Sequence, residues 1–167
     1  IHYPCRPERG FVPDPDEIES LITKRTRAIV VINPNNPTGA VYPRAVLEAI
    51  ARIAEKYHLL VLADEIYDQM TYEGAEFTPM ATLVQHTLCG TLSGLSKVYR
   101  ACGYRVGWAV FSGDVEHSRE YLSALELLSS LRLCSNVPGQ WAVQTALGGY
   151  QSIRELVTPG GRLYESR

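Results

Sequence analysis

The chain has 167 residues, of which 46% are hydrophobic and 20% are charged, and this composition is typical of one globular domain with its own core. It excludes an intrinsically disordered chain and a membrane-spanning one. Sixteen basic residues against 18 acidic ones give a formal net charge of −2 without any dense basic run, so neither nucleic acid nor a membrane is expected as a partner.

The first predicted elements are a short helix and two buried strands. The segment DPDE at residues 14–17 combines an N-cap candidate, a proline at the first helical position and a glutamate three residues after the cap, which predicts a helix toward Thr23. Residues 28–32 (AIVVI) and 59–63 (LLVLA) are apolar runs without alternation. Such runs are typical of parallel strands that are covered on both faces.

A crossover helix is predicted between these two strands. It starts near Pro43, and apolar residues recur on one of its faces at three- and four-residue spacing. These residues are Val46, Leu47, Ile50, Ile53, Ala54 and Tyr57. Strand, helix and strand together form a βαβ unit.

Two further strands are expected over residues 87–92 and 106–111. The stretch between them shows no clear amphipathic helix, whereas a parallel return normally needs a crossover of a dozen or more residues. The strand at residues 106–111 is therefore predicted to run antiparallel to its neighbours.

The rest of the chain is predicted to be helical. An apolar stripe follows residue 111, and Pro138 then opens a second helix that ends near Gly148 and Gly149. The stripe consists of Tyr121, Leu122, Leu125, Leu128 and Leu131. The elements together predict most of a three-layer α/β/α sandwich, with a mostly parallel sheet and one antiparallel strand.

The cysteines and histidines indicate neither a disulfide framework nor a metal site. Four cysteines are scattered without a Cys-x-x-Cys pair, which predicts reduced thiols and a cytoplasmic location. They are Cys5, Cys89, Cys102 and Cys134. The histidines show no metal-ligand spacing, so no metal is predicted. They are His2, His58, His86 and His117.

Polar residues follow the predicted strands, where open α/β sheets place their ligands. Taken alone, Asp64 would be read as a turn cap, Lys97 as a solvated surface residue and Arg105 as half of a salt bridge. Asn36 and Tyr67 would likewise be an ordinary turn residue and a packed loop aromatic. Only the combination of amine, carboxylate, phenol, amide and guanidinium in one chain favours a catalytic site over these separate structural roles.

Three motifs carry a resemblance to a known family: NPNNPTG at residues 33–39, ADEIY at residues 63–67, and SGLSKVYRACGYRVGW at residues 93–108. Their order and spacing resemble those of the class I and II aminotransferases, which are pyridoxal phosphate enzymes of fold type I. The similarity extends over essentially the whole chain. Within the family, the segments GLSKVYR, LRLCSNVP and QTALGGYQSI are most similar to the bacterial glutamate-pyruvate (alanine) aminotransferases.

The resemblance implies a role for five residues. Lys97 would bind the cofactor aldehyde and act as general base, and Asp64 would keep the cofactor's ring nitrogen protonated. Asn36 and Tyr67 would donate hydrogen bonds to the ring oxygen, and Asn36 would also orient the substrate carboxylate. Arg105 would hold the cofactor phosphate through two parallel hydrogen bonds.

One position departs from the family pattern. Many members carry a serine three residues before the lysine as a phosphate ligand, whereas this chain has Gly94 there, with Ser93 and Ser96 on either side. The phosphate contact from this loop is therefore left open between the two serines.

The resemblance also implies a division of the chain. Residues 1–160 are expected to belong to the large pyridoxal phosphate-binding domain, and residues 161–167 to begin the helix that leads to a small domain. The family's other phosphate loop and ring-stacking aromatic would precede Ile1, and its substrate-carboxylate arginine would follow Arg167. The chain is thus expected to be a fragment that is inactive in isolation.

The implied activity is transfer of an amino group between an amino acid and a 2-oxo acid, in a homodimer. The expected reaction converts L-alanine and 2-oxoglutarate to pyruvate and L-glutamate. Two alternatives stay open. A C–S lyase of the same fold needs the same residues, and a ligand-sensing domain of a transcriptional regulator would bind without catalysis.

Overall fold

A four-stranded mixed sheet forms the centre of the fold. The computed structural model describes residues 1–148 and 152–166. The strands are β1 Ala28–Ile32, β2 Leu60–Asp64, β3 Leu88–Gly94 and β4 Gly107–Gly113, and they lie side by side in chain order. The α-helices are α1 Pro15–Ser20, α2 Arg44–Lys56, α3 Arg119–Ser130, α4 Val137–Leu147, α5 Arg154–Val157 and α6 Arg162–Glu165. Short 3-10 helices lie at Pro7–Arg9, Met80–Thr82 and Cys102–Tyr104.

The strand directions confirm the predicted mixed sheet. Strands β1, β2 and β3 are mutually parallel, and β4 runs antiparallel to β3 from the pair Leu88 and Gly113 to the pair Gly94 and Gly107. The ends of every predicted strand fall within two residues of the observed ones. The α/β class and the single antiparallel strand are thus confirmed.

Helix α2 covers one face of β1 and β2. Its fully buried Leu47 and Ile50 lie in one core with Val31 and Val61 of the two strands. Full burial of one such side chain contributes roughly 1.5–3 kcal/mol. The helical spacing of apolar residues therefore fixes which side of α2 faces the sheet.

Some predicted apolar contacts are not made by the described residues. Val30, which alternates with the buried residues of β1, is 50% exposed, although its unbroken apolar run predicted cover on both faces. Leu128 and Leu131 of the predicted stripe are also exposed. Tyr57 lies just past α2, and its hydroxyl donates to the Glu19 carboxylate at 2.9 Å. These side chains lie outside the core that the sheet and α2 form.

Helix α1 begins directly after its capping residue. Asp14 accepts the N–H of Asp16 at 3.0 Å, and α1 then ends before the expected Thr23. Helix α4 ends at Leu147, near the predicted end, whereas Gly149 lies outside the described residues.

The domain division at residue 160 stays a prediction. In residues 1–148 and 152–166, no helix is both long and apolar enough to cross a membrane.

Candidate active site

The carboxyl ends of the three parallel strands meet at one edge of the sheet. Ile32 pairs with Asp64, and Asp64 pairs with Leu92, so β1, β2 and β3 end side by side. Neighbouring strands lie about 4.8 Å apart. The segments that follow the strands are therefore brought together, although they are distant in sequence. They carry the NPNNPTG loop, the turn after Asp64 and the loop of Lys97.

The NPNNPTG loop is held in shape by its own asparagines. Asn33 is buried, and its side-chain oxygen accepts the N–H of Tyr42 at 2.8 Å. The side-chain oxygen of Asn35 accepts the Thr38 hydroxyl at 2.7 Å. Asn36 follows in an exposed position. Its neighbours thus fix the backbone, and its amide is accessible to a ligand.

Strand β2 runs directly into the turn that carries Tyr67. One carboxylate oxygen of Asp64 accepts the N–H of Ile66 at 3.2 Å, which is the capping role that an isolated Asp would have. An ionised carboxylate has capacity for further hydrogen bonds. The cap therefore orients Asp64 without excluding a second partner.

Three carboxyl groups cluster in and beside this turn. Glu65 is buried, and burial raises its pKa to about 7, with the charges of Asp68 and Asp64 adding to the rise. Burial also raises the pKa of Asp68. Sequence reasoning singled out Asp64 and missed the other two. Their signal was the presence of acids immediately after a buried apolar strand, a place that favours a bound cation.

Lys97 is presented by two buried neighbours. Leu95 and Val98 are 1% and 3% exposed and anchor the loop after β3, whereas Lys97 itself is exposed. Its Nζ lies 5.5 Å from the centroid of the Tyr67 ring, within the range of a cation–π interaction. The structure thus brings the amine of one strand end to the phenol of the next.

A cavity of about 650 Å³ opens beside Tyr67. It lies between the NPNNPTG loop and residues 67–75, and both Asn36 and Tyr67 line it. Its volume is in the range of small-molecule sites. The NPNNPTG motif also contributes Pro34, Asn35, Pro37 and Gly39 to the lining. Sequence reasoning did not identify the remaining lining residues, which are Val41, Met70, Tyr72 and Ala75.

Arg105 stands apart from these contacts. Its guanidinium donates to the carbonyl of Cys102 at 2.7 Å. Like Asp64 and Lys97, it is not among the residues that line the cavity of Asn36 and Tyr67. Its φ of 53° lies in the left-handed region, which costs a non-glycine residue roughly 1–2 kcal/mol. The exposed guanidinium keeps donors for an anion. Its contact with a phosphate stays a prediction.

Gly94 lies where two backbones approach closely. A Cβ at this position would be 2.8 Å from the carbonyl oxygen of Val106 and 3.1 Å from the Cα of Gly107. The position three residues before Lys97 therefore has no room for a serine unless the backbone shifts. The choice between Ser93 and Ser96 as phosphate ligand stays open.

The chemistry of this donor set fits pyridoxal phosphate. The Asp64 carboxylate suits a pyridinium nitrogen, the Asn36 amide and the Tyr67 phenol suit a ring oxygen, and the Lys97 amine suits an aldehyde. The guanidinium of Arg105 suits a phosphate. Four of these five groups lie at or just past the carboxyl ends of adjacent parallel strands.

Comparison with known proteins points to one enzyme family. The family model for aminotransferase class I and II matches residues 1–165. Glutamate-pyruvate aminotransferase AlaA of Escherichia coli (strain K12) is 53% identical over all 167 residues, and alanine aminotransferase of Mycobacterium tuberculosis is 51% identical over the same length. The chain spans only about two fifths of these relatives, 41% and 39% of their lengths.

Solved structures agree with the curated relatives. A crystal structure of an aminotransferase from Escherichia coli matches with a TM-score of 0.95 and 53% identity, covering 99% of this chain and 41% of that one. Alanine aminotransferase from Pyrococcus furiosus matches with a TM-score of 0.85 and 44% identity, covering 89% of this chain and 38% of that one. Because the family model spans nearly every residue and the fold agrees, the chain belongs to the class I and II aminotransferases.

Proposed function

We propose that this chain forms the cofactor-binding part of a pyridoxal phosphate-dependent aminotransferase. Its reaction would convert L-alanine and 2-oxoglutarate to pyruvate and L-glutamate. The observation that carries the proposal is the position of Lys97 Nζ, 5.5 Å from the Tyr67 ring centroid, at the strand edge that also carries Asp64. The activities named for relatives about half identical to this chain support the choice of substrates.

Bound pyridoxal phosphate would supply an aldehyde that takes the amino group and a ring that accepts electrons. Lys97 Nζ would hold the cofactor and later accept the α-proton of the substrate as general base. Asp64 would hold a proton on the ring nitrogen, since an adjacent carboxylate favours the cationic form.

Asn36 and Tyr67 would donate hydrogen bonds to the ring oxygen from the two sides of the 650 Å³ cavity. Asn36 would also orient the substrate carboxylate. Arg105 would bind the phosphate with the parallel donors of its guanidinium. The proposal includes a homodimer in the cytoplasm. Its support is the family's usual assembly and four cysteines that remain free thiols.

The test uses the protein at its natural length. It is incubated with pyridoxal phosphate and reduced with borohydride, and the modified peptide is identified by mass spectrometry. Within these 167 residues the lysines are Lys24, Lys56 and Lys97. A pyridoxyl group on Lys97 is expected. Modification only at Lys24, Lys56 or a lysine outside these 167 residues would remove the proposed mechanism.

A second measurement separates the reaction types. Lys97→Ala is expected to abolish pyruvate formation from alanine and 2-oxoglutarate, whereas the matched exposed variant Lys24→Ala keeps it. Glutamate must appear in step with pyruvate. With an S-substituted cysteine as substrate, release of a thiol, pyruvate and ammonia without glutamate would instead indicate elimination, as in a C–S lyase. If Lys97 forms the adduct but the protein converts no amino acid, the result would favour the alternative hypothesis of a ligand-sensing domain.

A further inference from the structure

Glu65 is a buried ionisable residue without a role in the chemistry proposed above. It is 6% exposed and lies between Asp64 and the turn of Tyr67. Buried carboxyl groups are rare and need hydrogen-bond partners. Its contacts therefore indicate what it holds in place.

The contacts of Glu65 join three parts of the structure. Its Oε1 accepts the N–H of Met80, 15 residues further along the chain, at 2.8 Å. Its own N–H donates to the carbonyl of Leu92 in β3 at 2.9 Å. Its carbonyl accepts the N–H of Asp68 in the turn at 3.1 Å. One residue thus ties the sheet, the turn and the start of the 3-10 helix at Met80–Thr82 together.

Residues 66–79 form the loop that Glu65 closes. Tyr67 lies near its first end, and Met70, Tyr72 and Ala75 line the cavity from it. Two of its backbone bonds, from Met70 to Tyr67 and from Ala75 to Tyr72, run within the loop itself. They shape the loop but do not fasten its far end to the sheet. The bond between Glu65 and Met80 does so.

We infer that Glu65 is a positioning residue that acts through Tyr67. By holding Met80, its side chain fixes residues 66–79 and so the direction of the Tyr67 hydroxyl at the cofactor ring. This inference rests on the function proposed above. The role needs a hydrogen-bond acceptor at the position of Oε1 and no negative charge, which agrees with the burial that raises the pKa of Glu65 to about 7.

The test uses the cofactor-loaded protein at its natural length. The readout is the pH midpoint of the absorbance change of bound cofactor, which a donor at the ring oxygen lowers. Glu65→Met keeps the length of the side chain and removes the acceptor. It is expected to raise the midpoint by roughly one unit or less, the effect of one hydrogen bond. Glu65→Gln keeps an acceptor and is expected to restore the wild-type midpoint.

A double-mutant cycle shows whether Glu65 acts through Tyr67. Tyr67→Phe alone should raise the midpoint, and adding Glu65→Met to it should raise the midpoint no further. If the shift in the double variant is instead the sum of the shifts in the two single variants, the inference is overturned. Glu55 provides a matched control, because it accepts the N–H groups of Gln85 and His86 at 2.7 and 2.9 Å and anchors a loop elsewhere. Glu55→Met should leave the midpoint unchanged.

Two further results complete the design. If Glu65→Met does not fold, Glu65→Asp decides, since its shorter side chain withdraws the acceptor by about one methylene and should give the same upward shift. An unshifted midpoint in Glu65→Asp would contradict the inference. The proposed function fails separately, when wild-type protein carries no pyridoxyl group on Lys97. An adduct on Lys97 together with an unchanged midpoint in both variants would reject only the role of Glu65.

Discussion

The Nζ of Lys97 lies 5.5 Å from the centroid of the Tyr67 ring, although the two residues follow different strands. The parallel pairing of β2 and β3 produces this contact, because it places the ends of both strands at one edge. A lysine and a phenol in this position join a reactive amine to a hydrogen-bond donor.

Removal of the Tyr67 hydroxyl should weaken activity without abolishing it. Tyr67→Phe keeps the ring beneath the Lys97 ammonium and deletes one donor, which is worth about 0.5–1.5 kcal/mol. The expected loss in kcat/KM is therefore roughly 2- to 13-fold. Steady-state kinetics with alanine and 2-oxoglutarate measure it. A loss as complete as that of Lys97→Ala would mean that the hydroxyl itself is essential.

Loss of the Asp64 charge should cost more than loss of the Asn36 amide. Asp64→Asn is nearly isosteric and can still accept the N–H of Ile66, so the turn is expected to persist. It removes the charge that would keep the ring nitrogen protonated, whereas Asn36→Ala removes one neutral donor. A comparison of kcat for the two variants tests the assignment. Equal losses would contradict the role given to Asp64.

Arg105 and lysine should not be interchangeable. Arg105→Lys keeps the positive charge but replaces a planar pair of donors with a point charge. The dissociation constant for pyridoxal phosphate is expected to rise by roughly tenfold, the equivalent of about 1.4 kcal/mol. Arg100→Lys is a suitable control, because Arg100 is also exposed and also has a positive φ. Unchanged cofactor affinity in Arg105→Lys would argue against a phosphate contact.

A methyl group at Gly94 should destabilise the end of the sheet. The Cβ of Gly94→Ala would meet backbone atoms of Val106 and Gly107 at 2.8 and 3.1 Å, and backbone cannot move aside as a side-chain end can. Overpacking of this kind costs typically about 1–3 kcal/mol. In Gly103→Ala, by contrast, the new Cβ has no neighbour within 4 Å. Thermal unfolding should show a lower midpoint for Gly94→Ala only.

The free energy of unfolding of the cofactor-free protein should decrease as the pH rises, because of Glu65. Its pKa is raised from 4.5 to about 7 in the fold, so the folded state binds the proton more tightly than the unfolded state does. The stabilising contribution is complete below pH 4.5 and is lost as the pH rises to about 7. A shift of this size corresponds to about 3 kcal/mol.

Glu65→Gln isolates this effect, because the amide does not titrate and other groups cancel in the difference from wild type. The unfolding midpoint of wild type minus that of the variant should decrease between pH 5 and 7. The titratable groups that interact electrostatically with Glu65 are Asp64, Asp68 and Cys89. A difference that stays constant with pH would show that Glu65 ionises normally in the fold.

Local patterns in the sequence were sufficient for the elements of the fold. Apolar runs located β1 and β2, helical spacing located α2, and the short link after β3 indicated that β4 runs antiparallel. The motifs also identified Lys97, Asp64, Tyr67, Asn36 and Arg105 as candidates. The inferences about the elements succeed because periodicity and turn residues depend on neighbours along the chain, whereas the roles of the five residues stay predictions.

Only the tertiary structure decided which groups meet. It brings Lys97 to Tyr67 and places Asn36 in the same cavity as Tyr67, whereas Asp64, Lys97 and Arg105 do not line that cavity. It also reveals that Glu65 is buried and holds Met80, and that Gly94 has no room for a side chain. Burial, close approach and a shifted pKa arise from residues far apart in sequence, so no local pattern contains them.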